Sequence, residues 1–309
     1  VLRFPEVQIY CSAMAKTMMT QFFGPGLQER IHVVKEGDTL CTGRHTLRFI
    51  AAPMVHWPEV LMTYDETDRL LLTADAFGCF GALNGRLFAD EVDFDRDYLD
   101  EARRYYCNIL GKYGTQVTTL LGKAAALPIK TVCPLHGFVW RKNIGYFIDK
   151  YLHWATYAPE ENGVLIAYAS VYGNTENAAN VLAGMLADKG VKNIAMYDVS
   201  ETDVSELVAE SFRCSHLVLA APTYNSGIQP KMEAYLSDIK ALNLQNRTVA
   251  VIDNGTWAAT AGKHMIGMLE GMKNMTILEN TISIKSALAE NQLGALEALA
   301  DELAKQVNG

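Results

Sequence analysis

No run of apolar residues approaches eighteen, so a membrane-spanning helix is excluded as an organising element. The six cysteines (Cys11, Cys41, Cys79, Cys107, Cys133 and Cys214) never pair as C-x-x-C, which excludes a zinc ribbon and fits buried thiols in a reducing cytosol. Positive charge is in deficit: 27 Lys and Arg stand against 35 Asp and Glu, the net charge is −8 and the pI is near 5.4. Nucleic acid and anionic membrane surfaces are therefore poor partners. The familiar phosphate loops are missing too. Neither G-x-G-x-x-G nor G-x-x-x-x-G-K-[ST] occurs; the nearest imitation, Gly255 to Lys263, has six residues between its glycines and His264 after the lysine.

The 309 residues, half of them hydrophobic, amount to about two domains. The change of pattern falls at Tyr157-Ala158-Pro159-Glu160-Glu161-Asn162-Gly163, whose polar, Pro and Gly character reads as a linker. We expect domains at 1–157 and 162–309. The first residues already read as the middle of a domain, so an N-terminal portion is expected upstream of Val1.

Val164 to Ala169 is an apolar strand that breaks into Ser170-Val171-Tyr172-Gly173-Asn174-Thr175, after which Ala178, Val181, Leu182, Met185 and Leu186 carry helical spacing. A strand that delivers a polar loop to a helix N-terminus gathers free backbone N–H groups and the positive end of a helix dipole, which suits a phosphate. The loop has no Lys or Arg, so neutral donors would do the holding. Strict alternation follows, with strands near 164–169, 192–197, 216–221, 248–253 and 276–284 and helices near 175–188, 203–211, 229–241, 261–271 and 290–307. Five such units predict a doubly wound, five-stranded parallel sheet with its ligand at the C-terminal strand ends. Two further strand ends should then face that ligand: Pro222, Thr223, Tyr224, Asn225 and Gly227 in one, Asn254, Gly255 and Trp257 in the other. Each offers backbone exposed by glycine and one aromatic ring.

The first half reads differently. Ser12 can cap a helix to about Phe23, Ile31–Val34 and Leu40–Thr42 flank a Gly37-Asp38 turn as in a hairpin, and further strands fall at 46–52, 60–64, 69–73 and 129–133. Helices are expected at 97–110, 117–127 and 143–154. His56, Asp75 and His136 each follow a strand and sit beside a Pro or Gly, or at a strand's run-out. Together they are candidate metal ligands, since imidazole and carboxylate suit zinc or iron and an Asp can bridge two ions. The acidic stretch Asp90 to Glu101 reads as a solvated helix start.

Ser170 to Glu176 resembles the phosphate loop of the flavodoxins, which grips the monophosphate of FMN. Pro53-Met54-Val55-His56-Trp57-Pro58-Glu59, Leu72-Thr73-Ala74-Asp75-Ala76-Phe77-Gly78, Glu101 to Tyr106 and Pro134-Leu135-His136-Gly137 resemble the flavodiiron proteins, and the resemblance covers essentially the whole chain. It implies an α/β protein: a partial metallo-β-lactamase-like αββα sandwich with a non-haem diiron site, followed by a flavodoxin-like FMN domain. It implies His56, Asp75 (the bridge) and His136 as ligands, and reduction of dioxygen to water or nitric oxide to nitrous oxide with electrons relayed through FMN. It also implies a cytoplasmic head-to-tail homodimer, or dimer of dimers, and a separate donor such as rubredoxin. The family's H-x-E-x-D-H motif does not occur, and the remaining ligands are expected upstream of Val1. Two rival readings are an FMN electron carrier with a metal-free lactamase-like scaffold, and a zinc hydrolase.

Overall fold

A computed structural model describes residues 3–309, and its contacts divide the chain into two compact units that meet at the Thr156–Tyr157 bond. Val1 and Leu2 lie outside the described residues.

The first unit is built on a five-stranded sheet ordered Thr39–Cys41, Thr46–Ala51, Leu61–Asp65, Leu70–Leu72, Thr131–Cys133. Its pairs are antiparallel except the last, which is parallel with Leu72 opposite Cys133. Leu61–Asp65 alternates in burial, Met62 and Tyr64 facing the core, as a strand's two-residue period requires. From these pairings, Thr46–Ala51, Leu70–Leu72 and Thr131–Cys133 run in one direction. Their C-terminal ends therefore share one edge.

The hairpin expected over 31–42 does not form. Ile31–Val33 pairs in parallel with Ile9–Cys11, while Gly37 and Asp38 bond across to Phe49 in the strand 46–51. The turn residues are real, but a remote strand takes the partner that the local pattern suggests. Ser12 caps Ala13–Phe23 as expected, its hydroxyl accepting from Ala15 N. The single helix expected over 97–110 is broken at Tyr98 into Phe94–Asp97 and Leu99–Tyr105, then continues as a π-helical turn over Tyr106–Leu110. Tyr98 leaves helical geometry while its ring packs edge-on to Phe138 at 4.6 Å and its hydroxyl donates to Ala82 O. The acidic stretch here is paired: Asp90 with Arg141 and Lys142, Asp100 with Arg103, Glu101 with Arg104. Trp140 stacks on Phe147 at 4.4 Å and meets Phe94 at 4.8 Å. Such pairs add about 0.5–1.5 kcal/mol each beyond area burial, and their geometry fixes how the helix Ile144–Ala155 is rotated.

The second unit is a parallel sheet in which the strands, numbered in sequence within the unit, lie in the order 5-4-3-1-2: Glu161–Tyr168 first, Ile194–Asp198 second, Cys214–Tyr224 third, Thr248–Asn254 fourth. Thr276–Ile277 and Ile282–Ile284 share the fifth position. Helices Asn174–Asp188, Val204–Arg213, Pro230–Ala241, Ala261–Leu269 and Leu293–Asn308 alternate with the strands. Val164–Ala167, Leu217–Ala221 and Val249–Ile252 are almost wholly buried, because helices cover both faces of the sheet. The strand expected over 276–284 is split where Glu279–Thr281 leaves the ladder, Thr281 N closing on Glu279 O. The stretch expected as a linker belongs to this unit. Arg247 donates to the carbonyl of the buried Tyr157, Glu160 N donates to Arg213 O, and Glu161–Gly163 opens the first strand. Its composition suits a loop, but Arg247, Arg213 and Ser215 supply partners for its backbone. Among the described residues, no helix is long and apolar enough to cross a membrane.

Candidate functional site

In the first unit, three co-directional strands set out the three candidate ligands. Asp75 and His136 lie equally far beyond the paired Leu72 and Cys133, and Thr73 N to Cys133 O and Leu135 N to Ala74 O carry the pairing past the strand ends. His56 follows Thr46–Ala51 at the same edge. One oxygen of Asp75 faces His56 Nε2 at 3.5 Å and the other faces His136 Nε2 at 3.3 Å. Two donors each about 2.1 Å from one ion lie about 3.0–3.4 Å apart, so each oxygen–imidazole pair has the separation of two ligands on a common ion. The set is thus two oxygen–imidazole pairs that share Asp75.

The backbone holds this arrangement. Met54, Ala74 and Phe77, none of them glycine, adopt positive φ of 64°, 51° and 65° beside His56 and Asp75. Such residues cost about 1–3 kcal/mol each and persist only where surrounding packing fixes them. Gly78 lies against the ring of Tyr105, where a Cβ would come within 2.4 Å, and Gly137, at φ +86°, lies 2.7 Å by the same measure from the Cβ of Cys79. The Tyr105 hydroxyl donates to Asp75 O at 3.0 Å; burial first, and the Asp75 charge second, hold this phenol well above its ordinary range. Cys79 is pushed up to about 12 by burial and then by Glu101, and its thiol donates to Phe80 O. Cys79 lines the wall of the cavity beside Gly137. His56, Asp75, Tyr105 and His136 open on a cavity of about 500 Å³. A second group, His45 with Asp65 and Asp68, has compact donor atoms, but His45 Nδ1 bonds Asp65 at 2.7 Å within a surface turn.

In the second unit the expected strand-end loops lie on one edge and are bonded to one another. Ser170 Oγ accepts from Gly173 N, Gly173 has φ +82°, and the helix begins at Asn174, leaving the first-turn N–H groups without intrahelical partners. Thr175 is buried and accepts from Asn254 Nδ2, which also donates to Ser286 O, while Asn254 Oδ1 accepts from Ser286 N. Asn254 thus ties loops together. Thr223 Oγ1 accepts from Thr260 N and Ala261 N, and Tyr224 leads into an Asn225-Ser226 turn that returns through Gly227. At Gly255 a Cβ would meet Ala258 O at 2.2 Å, so only glycine allows this turn beneath Trp257. Trp257 is 95% exposed, Tyr172 89% and Tyr224 51%; none of these rings fills a core. Val171 is exposed beside Tyr172, and Pro222 pairs in register with Asn254.

Residues 1–137 match the family model for ODP family beta lactamase, and residues 165–298 match that for a flavodoxin domain. The nitric oxide reductase of Moorella thermoacetica is 31% identical over 277 residues, which is 89% of this chain and 68% of that protein. The chain belongs to the flavodiiron protein family. The anaerobic nitric oxide reductase flavorubredoxin of Aeromonas hydrophila subsp. hydrophila is 32% identical over 84% of this chain, which spans about half of that relative's length (52%). The flavodiiron protein from Giardia intestinalis has a TM-score of 0.92 at 25% identity, covering 99% of this chain and 75% of that one. Rubredoxin oxygen:oxidoreductase from the anaerobe Desulfovibrio gigas has a TM-score of 0.89 at 25% identity, covering 97% and 75%.

Against this flavodiiron framework, several residues at the two edges were not singled out by sequence: Asp253 at a strand end, Thr260 and Ser286 in loops and His264 in the helix that follows, with Tyr105 and Cys79 in the cavity. Buried Asp253 takes Gly262 N on one oxygen and the Ser283 hydroxyl on the other. A polar pair closing an apolar strand, Asp253-Asn254, is the one local signal that could have found it.

Proposed function

We propose that this chain is a flavodiiron oxidoreductase that reduces nitric oxide to nitrous oxide, dioxygen to water, or both, taking electrons through FMN from a rubredoxin-type donor. The observation that carries the reading is Asp75, which turns one oxygen to each of two imidazoles at the shared edge of three strands. His56, Asp75 and His136 would supply part of the ligand set of two irons, with Asp75 between them. When bound, iron supplies a redox-active centre for a diatomic molecule, and FMN stores the electrons. The chain's own part is to fix the donors through left-handed backbone and tight glycines, and to wall the cavity with Tyr105 and Cys79.

Ser170 to Thr175 would take the FMN phosphate on neutral donors and the helix N-terminus. Tyr224 and Trp257, exposed on loops braced from behind, would take the flat ring system. Pro222, Thr223, Asn225, Gly227, Asn254 and Gly255 shape those loops. The six free thiols suit a reducing cytosol. A homodimer in which the flavin of one chain serves the metal site of its partner completes the proposal. The test is iron and flavin analysis, with a visible spectrum, of the gene product purified without oxygen. About two irons and one FMN per chain are expected; flavin without iron would support the carrier reading instead, and colourless protein that takes up no flavin would end both.

A further inference from the structure

The turn at Asn225-Ser226 is strained, and it is held from outside. Both residues lie in the left-handed region, at φ 47° and 61°, as a two-residue hairpin turn requires, yet the second place is Ser where glycine is favoured. Two side chains from the start of the helix Ala261–Leu269 reach across to this turn. Thr260 Oγ1 donates to Ser226 O at 3.0 Å, and His264 Nε2 bonds the same carbonyl at 3.0 Å. A carbonyl only accepts, so Nε2 carries the proton. On the other side of the turn, Thr223 Oγ1 accepts from Thr260 N and Ala261 N at 2.8 and 3.2 Å. Four hydrogen bonds therefore brace five residues of one loop against the loop that carries Trp257.

We propose that Thr260 and His264 are positioning residues that clamp the Tyr224–Gly227 turn and so set both the FMN affinity and the one-electron potential of the bound flavin. This rests on the FMN reading above. A turn that abuts a flavin presents backbone N–H and C=O groups to it, and oxidised and reduced flavin differ in what they donate and accept. Freeing the Ser226 carbonyl lets the turn relax, and the two redox states lose affinity unequally. The potential follows the ratio of those affinities, so a tenfold change in the ratio is 59 mV for one electron. A clamp that merely stabilised the fold would leave that ratio alone.

The experiment is FMN titration by fluorescence quenching and a redox titration of the flavin, on the full chain and on its Thr260→Val, His264→Leu and doubly substituted forms. The double variant should bind FMN at least about tenfold more weakly and shift its first-electron potential by about 59 mV or more. Thr260→Ser, which keeps the hydroxyl, should restore both values. Binding and potential unchanged in a folded double variant would overturn the proposal, as would loss of affinity with the potential unmoved. Should the double variant fail to fold, the two single variants decide by the same two readouts. If the unaltered chain takes up no FMN, the underlying FMN reading fails first and the clamp falls with it.

Discussion

At the flavodoxin-like edge polar side chains tie the loops together: Asn254 to the Thr175 hydroxyl and the Ser286 backbone, Thr223 to the backbone N–H groups of Thr260 and Ala261, Thr260 and His264 to the Ser226 carbonyl. Around Asp75 the shaping falls to the backbone, through left-handed Met54, Ala74 and Phe77 and the close-packed Gly78 and Gly137. The difference follows from what each site is proposed to receive. A neutral network satisfies itself and keeps its form before a ligand arrives. Donors meant for cations must leave their lone pairs unclaimed, so rigidity has to come from the chain that carries them.

The largest effect that would break this contrast is at Asp75. Asp75→Ala should remove most of the iron and more than about 100-fold of the diatomic-reducing activity, with FMN content unchanged. Iron retained in that variant, by metal analysis, would show that Asp75 is no bridge. Next, Gly137→Ala should destabilise the first unit by about 2–3 kcal/mol in urea denaturation, from positive φ and contact with Cys79 together. Gly81→Ala has φ +89° but open space to 3.7 Å, so it isolates the strain at about 1 kcal/mol. Equal effects at the two glycines would refute the packing half of the argument.

On the other edge, Asn254→Ala should cost about 2 kcal/mol of stability through the orphaned Thr175 and Ser286 groups. Trp257→Ala should leave the melting temperature of the flavin-free protein in place, because the ring is 95% exposed, yet raise the FMN Kd about tenfold. The smallest effect is remote from both sites. Lys142, then Arg141, hold the Asp90 carboxyl below the usual carboxylate range. A lowered folded-state pKa contributes stability that is present above the unfolded value near 4 and is lost as pH falls through the folded one. Asp90→Asn should therefore lower the melting temperature slightly at neutral pH, the difference from the unaltered chain closing as pH falls through the folded value, so that the acid limb of the profile flattens.

The alternating strands and helices of the second unit were legible because fully buried parallel strands are apolar throughout and their loops are punctuated by polar residues and glycine. His56, Asp75 and His136 could be read as a set because each ends a strand. That Asp75 stands between the two imidazoles is readable only through the family resemblance, since the arrangement itself depends on three strands running the same way. The bracing by Thr260 and His264 was invisible for a similar reason: each bonds a carbonyl more than thirty residues away. Ile31–Val33 is the strand its pattern predicts, but its partner differs because a remote parallel strand outweighs the nearby turn. Tyr157–Gly163 was read as a linker because its anchor, Arg247, lies about ninety residues on.

The π-helical turn at Tyr106–Leu110 follows directly on Tyr105, and Tyr105 and Ile109 both border the cavity at Asp75. A wide turn of this kind differs from an ordinary helix by a single residue. Loss of one codon there would let the segment rewind as ordinary helix and change how Tyr105 and Ile109 meet the cavity. The cavity wall can therefore be recut in one genetic step without altering any of the three residues proposed to hold iron.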